Sequence, residues 1–275
     1  MEETTQSIVS IVIVTSPVKS NPDTYLIDTV IDSLAYVEGL QSCHVYIIFD
    51  GFVVAEAPRP KSGRITEAMA AAYSEYYEAL QQKYNSPKYH LLKSESHRGF
   101  AMSVKWGLEV CDTDYAVIIQ HDRSFGKTFS QLQNILRLFS ENEHIRYVGF
   151  PTSCSSNHEQ TIVNRYGHKE LVHESNSLIL SDEYIIKPLM FWYDSTHVAH
   201  VKRYLEIYRP FINVPDELKP SFGSKKGVKQ MILRNGDFIE DRFGQAQRKI
   251  LNDLVRHPSD LMKAFRWFGS YLIAD

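Results

Sequence analysis

Three short, nearly unbroken apolar runs punctuate the first half of the chain: Ile8–Val14, His44–Phe49 after its first residue, and Tyr115–Ile119. Each is rich in β-branched or aromatic residues, which predicts strands. A run without polar alternation predicts a strand buried on both faces, as in a parallel sheet covered by helices. Between the runs the apolar spacing lengthens to a helical period. Leu26, Ile27, Val30, Ile31 and Leu34 make one stripe up to Gly39, with Pro22 after Asn21 as the start signal. Ile65, Met69, Ala72, Tyr76 and Leu80 make a second, in a helix expected over Arg64–Tyr84, whose many tyrosines read as packing. Phe100, Val104, Leu108 and Cys111 make a third, after the glycine turn His97-Arg98-Gly99, and Tyr89–Leu92 is a further short strand. Strands alternating with helices predict an α/β fold, with parallel strands joined by right-handed crossovers.

The pattern changes in the second half. Gln131–Phe139 reads as a helix, Tyr147–Phe150 as a strand, and Thr161–Val172 as a hairpin around Gly167. Ser177–Tyr193 is rich in strand formers but broken by Asp182-Glu183 and Pro188. Ser195 or Thr196 can cap a helix reaching about Tyr208. Pro210–Lys226 reads as a long loop, Phe238–Asp241 leads into a helix to about Val255, and the tail carries Phe265, Trp267, Phe268 and Tyr271. With no linker and no internal repeat, we expect one domain over 1–275. Its halves are an α/β part over 1–125 and a mixed α+β part over 126–275.

Composition narrows the function. A net charge of −3 with 23% charged residues leaves no nucleic-acid footprint. Cys43, Cys111 and Cys154 form no Cys-x-x-Cys pair, so neither a disulfide framework nor a zinc knuckle is expected. No apolar run approaches a membrane span, and the start MEETT lacks a basic leader, so a cytoplasmic location is expected. There is no Gly-x-Gly-x-x-Gly after the first strand, and Gly223–Gly227 lacks the spacing of a P-loop.

Ligands of parallel sheets bind beyond the carboxyl ends of the strands. Polar groups stand there at all three apolar runs: Thr15-Ser16-Pro17, Asp50-Gly51 and Gln120-His121-Asp122-Arg123. The stretch leading to the last of these carries Arg98-Gly99-Phe100-Ala101, Gly107-Leu108-Glu109 and Asp114-Tyr115 before its strand. This block resembles the centre of GT-A fold, family 2-like glycosyltransferases, in which an acidic Asp-x-Asp motif follows the strand. The resemblance covers about the first 125 residues and one later motif, Ile239-Glu240-Asp241.

The resemblance implies a GT-A fold: a Rossmann-like nucleotide-sugar-binding half over 1–125 and an acceptor-binding, catalytic half over 126–275. It implies transfer of a sugar from a UDP, GDP or dTDP-type donor to a hydroxyl of a glycan or glycoconjugate. Asp50 would contact the base or ribose, Thr15 to Pro17 would form the other wall, Arg98 would meet phosphate, and Gln120 and His121 would lie beside the nucleotide. Asp122 would hold Mn2+ or Mg2+, although Gln120 replaces the first acid of the motif. One carboxylate, phosphate oxygens and waters can complete such a shell. Asp241, with Glu240, would be the general base of an inverting enzyme, since a carboxylate within hydrogen-bond reach can deprotonate the attacking hydroxyl.

Trp192, Tyr193, Asp194 and His197 combine flat aromatic faces with short polar groups and are candidates for the acceptor or donor-sugar wall. His257 falls where such enzymes supply a late histidine. Each residue also has an ordinary reading: Asp50-Gly51 as a turn, Asp122 as a strand-end cap, Arg98 and Lys105 as surface cations, Glu240-Asp241 as an acidic helix start, His197 and His200 as helix histidines. Two rival functions remain, a sugar-phosphate nucleotidyltransferase and a non-catalytic binding scaffold. Thr15–Asn21 lacks the glycine-rich basic loop of the first, and Gln120 favours the second.

Overall fold

A computed structural model of the chain describes residues 5–59, 62–167, 177–209, 214 and 231–274. It divides into two compact units, Met1–Leu132 with Arg234–Phe238, and Gln133–Leu233 with Ile239–Asp275. The expected Pro210–Lys226 loop lies, Val214 apart, outside the described residues.

The first unit runs α1 (Thr5–Ile8), β1 (Val9–Thr15), α2 (Tyr25–Ser33), β2 (His44–Phe49), β3 (Val53–Val54), β4 (Arg64–Ile65), α3 (Glu67–Lys83), β5 (Tyr89–Lys93), α4 (Gly99–Val110) and β6 (Tyr115–Gln120). Its sheet has the order β5-β2-β1-β6 with every pair parallel, a Rossmann-like arrangement. Burial explains the unbroken apolar runs. Val9, Ile11, Val12 and Ile13 are all fully enclosed, so both faces of β1 are covered. Each such side chain is worth about 1.5–3 kcal/mol relative to exposure. The register aligns Thr15 with Phe49 and Val14 with Gln120, so β1, β2 and β6 end at one level. Gly107 lets α4 lie close on that sheet, because a Cβ there would come within 2.5 Å of a Val12 methyl.

Two boundaries of this unit differ from expectation. Arg64 and Ile65 pair with Val53 and Val54 instead of starting a helix, and α3 begins after Thr66, whose side chain accepts from Met69 N at 3.3 Å. The helix expected from Pro22 begins at Tyr25, whose amide donates to Asp23 Oδ1 at 2.7 Å.

The second unit contains α5 (Leu132–Glu141, starting at the boundary), β7 (Tyr147–Gly149), α6 (His158–Tyr166), β8 (Leu178–Ile179), β9 (Ile185–Pro188), β10 (His197–His200) and α7 (Val201–Leu205). A π-helical turn, Glu240–Gly244, then leads to α8 (Gln245–Leu254), α9 (Pro258–Phe268) and β11 (Ser270–Ala274). Its strands lie in the order β10-β7-β11-β9-β8. Among the described residues of this unit, β11 and β7 are parallel, and the pairs β10–β7, β11–β9 and β8–β9 are antiparallel. The mixed character expected of the second half is present.

Two elements of this unit differ from those expected. The hairpin expected over Thr161–Val172 is instead the end of α6, and Gly167 is a helix stop: at φ +67° its amide donates back to Val163 O. The remainder of that stretch, 168–172, lies outside the described residues. The helix expected after Ser195 or Thr196 is preceded by β10, because His197, Val198 and Ala199 pair with β7. His197 and His200 therefore stand on a strand, not on one helical face.

Candidate functional site

The first unit has a cavity of about 230 Å³ where β1, β2 and β6 end. Ser16, Pro17, Asp50, His97, Gln120 and His121 line it. Its apolar wall includes Phe100 and Phe238, whose rings stack at a centroid distance of 6.0 Å. Thr15 is close by but turned away, with its Oγ1 3.4 Å from the Tyr76 hydroxyl. The tyrosines of α3 are packing, as expected. Tyr73 and Tyr76 are buried, and Tyr73 donates to the carbonyls of Thr15 and Asp50, which steadies both strand ends.

Asp50 is 4% exposed, and its carboxylate is engaged within the chain. Oδ1 accepts from Arg98 N at 2.7 Å. Oδ2 accepts from Gly99 N at 3.0 Å and meets His97 Nδ1 at 2.9 Å. Asp50 thus closes the amino end of α4, where free amides and the helix dipole favour an anion. The next amide, Ala101 N, donates to Asp237 O at 3.1 Å. Gly99 adopts φ +73°, and a Cβ there would come within 2.6 Å of Gly236 Cα, so only glycine fits. The hydrogen bond to Asp50 raises the His97 pKa above its usual value, and burial opposes it.

Arg98 faces elsewhere. Its Nε donates to Ser94 Oγ at 2.9 Å, and its guanidinium lies 4.5 Å from the Trp106 ring centroid. Lys105 pairs with Glu109.

His121 is half-buried and anchored to the end of β1. Its backbone amide donates to Val14 O at 3.1 Å, and its Nδ1 is 3.3 Å from the same carbonyl. Burial lowers its pKa below the usual value, so the ring is held neutral.

Asp122 is exposed and does not line the cavity. Among the described residues, no group of three or more His, Cys, Asp or Glu side chains converges to hold a metal ion. Mn2+ and Mg2+ require hard oxygen ligands. The residues around Asp122 supply one exposed carboxylate, the Gln120 amide, and a His121 ring whose Nδ1 is engaged on Val14. That donor set does not fit a resident divalent cation.

In the second unit, Asp241 is exposed on the π-helical turn. Asp194 is buried, and it exchanges backbone hydrogen bonds with Glu240: Glu240 N donates to Asp194 Oδ2 at 3.1 Å, and Asp194 N to Glu240 Oε2 at 3.5 Å. Burial, with the nearby charges of Glu240 and Asp241, pushes the Asp194 pKa up to about 8.

Trp192 and His197, read from sequence as a sugar wall, are enclosed in the core of this unit around Tyr147, at ring distances of 4.7 and 4.2 Å. The imidazole of His197 is spanned by Ser195 O at 2.6 Å and the Tyr204 hydroxyl at 3.1 Å. Burial lowers its pKa to about 3. Tyr193 meets His158 Nδ1 through its hydroxyl at 2.9 Å. His257 is the exposed cap of α9.

The structure therefore brings Ser16, Pro17, Asp50, Gln120 and His121 to one cavity, and Glu240 to Asp194. Sequence reasoning passed over His97, although it directly precedes the Arg98-Gly99 turn, and the segment Arg234–Phe238, for which only Gly236 was a signal.

No protein-family model matches the chain, and no curated protein matches it. Among solved structures, it is similar to S. aureus TarS, at 13% identity and TM-score 0.42, over 89% of this chain and 34% of that one. The chain thus spans about a third of TarS. It is also similar to the mannosyltransferase PcManGT from Pyrobaculum calidifontis, in complex with GDP-Man and Mn2+, at 13% identity and TM-score 0.44, over 94% and 69%. A third is a CMP:2-keto-3-deoxy-manno-octonic acid synthetase complexed with CTP, at 10% identity and TM-score 0.39, over 79% and 83%. Scores this low bear on neither fold nor activity here, and the α/β assignment rests on strand order and register.

Proposed function

We propose that the chain is a glycosyltransferase that takes the nucleoside of a nucleoside diphosphate-sugar into the first unit's cavity and passes the sugar to a hydroxyl acceptor. The observation that carries this reading is the coincidence of two independent features. The block resembling GT-A glycosyltransferases predicts nucleotide contacts at Ser16, Pro17, Asp50, Gln120 and His121, and those side chains line one cavity at the carboxyl ends of a parallel sheet.

Asp50 acts through the turn it holds, since its oxygens already accept from Arg98, Gly99 and His97. The phosphates have no partner in Arg98, whose guanidinium is engaged with Ser94 and Trp106. Asp241 is assigned the general base on its Glu240-Asp241 context and its exposure. A carboxylate within hydrogen-bond reach of the acceptor can take its proton as the hydroxyl attacks. An inverting displacement by that route needs one such group.

The test is a thermal-shift panel of UDP, GDP, dTDP, CDP and ADP, followed by an assay for free nucleoside diphosphate from the matching sugar nucleotides with mixed glycan acceptors. A ligand at 100 times its dissociation constant should stabilise by about 2.7 kcal/mol. A protein that neither binds nor turns over any of them is not a glycosyltransferase. Binding of a nucleoside triphosphate, with release of pyrophosphate on addition of a sugar phosphate, would install the nucleotidyltransferase instead.

A further inference from the structure

One polar side chain of the cavity, His121, has its hydrogen-bonding edge fixed by the backbone, and its role in recognition rests on the glycosyltransferase reading above. His121 closes the end of β6 and lines the cavity. Its Nδ1 is 3.3 Å from the Val14 carbonyl oxygen, which also accepts the His121 backbone amide at 3.1 Å. A carbonyl oxygen has no proton to give, so Nδ1 must carry the ring proton. The hydrogen bond made by one imidazole nitrogen sets the role of the other. Nε2 is therefore a lone-pair acceptor, and it makes no hydrogen bond among the described residues. The anchor is a strand-end carbonyl in the middle of a parallel sheet, so the ring and its tautomer are fixed together.

We propose that His121 is a specificity-determining residue that selects a nucleobase presenting a ring N–H, the imide of uracil or thymine. Among the pyrimidines, uracil and thymine present such a ring N–H and cytosine does not. The imide N–H of a uracil or thymine ring donates to Nε2. Cytosine carries a lone pair at the same ring position, so two acceptors would face each other. A buried polar group left unpaired in this way costs more than a hydrogen bond gains. Sites built to pair with a ligand N–H or O–H accordingly reject the analogue that lacks it.

The experiment is isothermal calorimetry of UDP, CDP and GDP, the first two differing only at the base edge, with wild type, His121→Phe and His121→Gln. UDP should bind the wild type at least tenfold tighter than CDP. His121→Phe keeps a ring but removes the acceptor, and should bring the two affinities within about twofold. His121→Gln restores an acceptor oxygen and should recover part of the preference. Thermal melting reports whether each variant is folded, and the wild-type ratio stands whatever the variants do. Equal affinities, tighter CDP, or binding of GDP alone would overturn the assignment while leaving the glycosyltransferase reading in place. Binding of no nucleoside diphosphate by the wild type would remove both.

Discussion

Replacing Asp50 with Asn isolates the group on which the cavity's geometry depends. In the native chain one carboxylate accepts from two backbone amides and pairs with an imidazole: Arg98 N on Oδ1, and Gly99 N with His97 Nδ1 on Oδ2. Asparagine has the same shape but offers one acceptor oxygen, and its amide group points two hydrogens at donors that already need a partner. Removing one member of a buried, hydrogen-bonded pair costs about 3–5 kcal/mol. The retained oxygen and the partial exposure of His97, whose side chain is 17% exposed, argue for the lower end, about 3 kcal/mol. At about 2–4 °C per kcal/mol for a protein of this size, melting should fall by about 6–12 °C.

The pH dependence supplies the sharper readout. The folded-state pKa of His97 is raised, first by its hydrogen bond to Asp50. The stability it contributes is thus complete below the unfolded value of about 6.5, and is lost as pH rises through the higher folded value. The gap between wild type and Asp50→Asn should therefore be widest near pH 6 and shrink towards pH 9, measured as melting temperature in a buffer series. A gap under about 2 °C, or one that does not change with pH, refutes this account. A variant that melts normally but loses nucleoside affinity would return Asp50 to direct ligand contact.

The other substitutions separate roles within the second unit and at the strand end. Asp241→Asn should lower sugar transfer by about 10²–10⁴ with nucleoside diphosphate affinity unchanged in calorimetry, and normal turnover would move the base elsewhere. Asp194, whose pKa is about 8, keeps in the folded state a proton that the unfolded chain releases from about pH 4. Its contribution to stability therefore falls as pH rises across that window. Asp194→Asn, which resembles the protonated acid, should flatten that decline, so identical melting slopes between pH 5 and pH 8 in both proteins would contradict the assignment. Asp122→Ala, at an exposed position, should shift stability by no more than about 0.5 kcal/mol. The free protein should give no heat of Mn2+ binding, and stoichiometric binding lost in Asp122→Ala would show that a cation site exists there.

Legibility in the sequence followed the range of the forces involved. The strands β1, β2 and β6 were readable because burial on both faces writes an unbroken apolar run, as at Ile11, Val12 and Ile13. Errors fell where pairing with a distant segment decided the outcome. His197–Ala199 carry a cap-like Ser195-Thr196 before them, yet pairing with Tyr147–Gly149 makes them a strand. Arg64 and Ile65 fit a helical stripe, yet they pair with Val53 and Val54. Gly167 shows the opposite ambiguity. A glycine in such a stretch suits a hairpin turn and a helix stop equally, and only the bond from its amide to Val163 O distinguishes them.

Of the residues the motifs single out on the nucleotide side, Ser16, Pro17, Asp50, Gln120 and His121 line the cavity, whereas Thr15, Arg98 and Asp122 do not, and the state of their polar atoms was not legible at all. A motif can place Asp50, Arg98 and His121 near a ligand, but it carries no account of which of their polar atoms the chain consumes itself. Both Asp50 oxygens are taken up by a turn that lies 47 to 49 residues away in sequence. Arg98 is drawn off by Ser94 and Trp106, and the helix end that would attract an anion is closed by Asp50 and the Asp237 carbonyl. These groups were the strongest in charge, and for that reason the fold satisfies them internally, since an unpaired buried charge is costlier than an unpaired neutral group. What remains for a ligand is weaker and more selective. At His121 the chain engages one nitrogen on Val14 and leaves the other as a directed acceptor, so recognition at that wall should follow the hydrogen-bonding edge of the base rather than the total charge of the nucleotide.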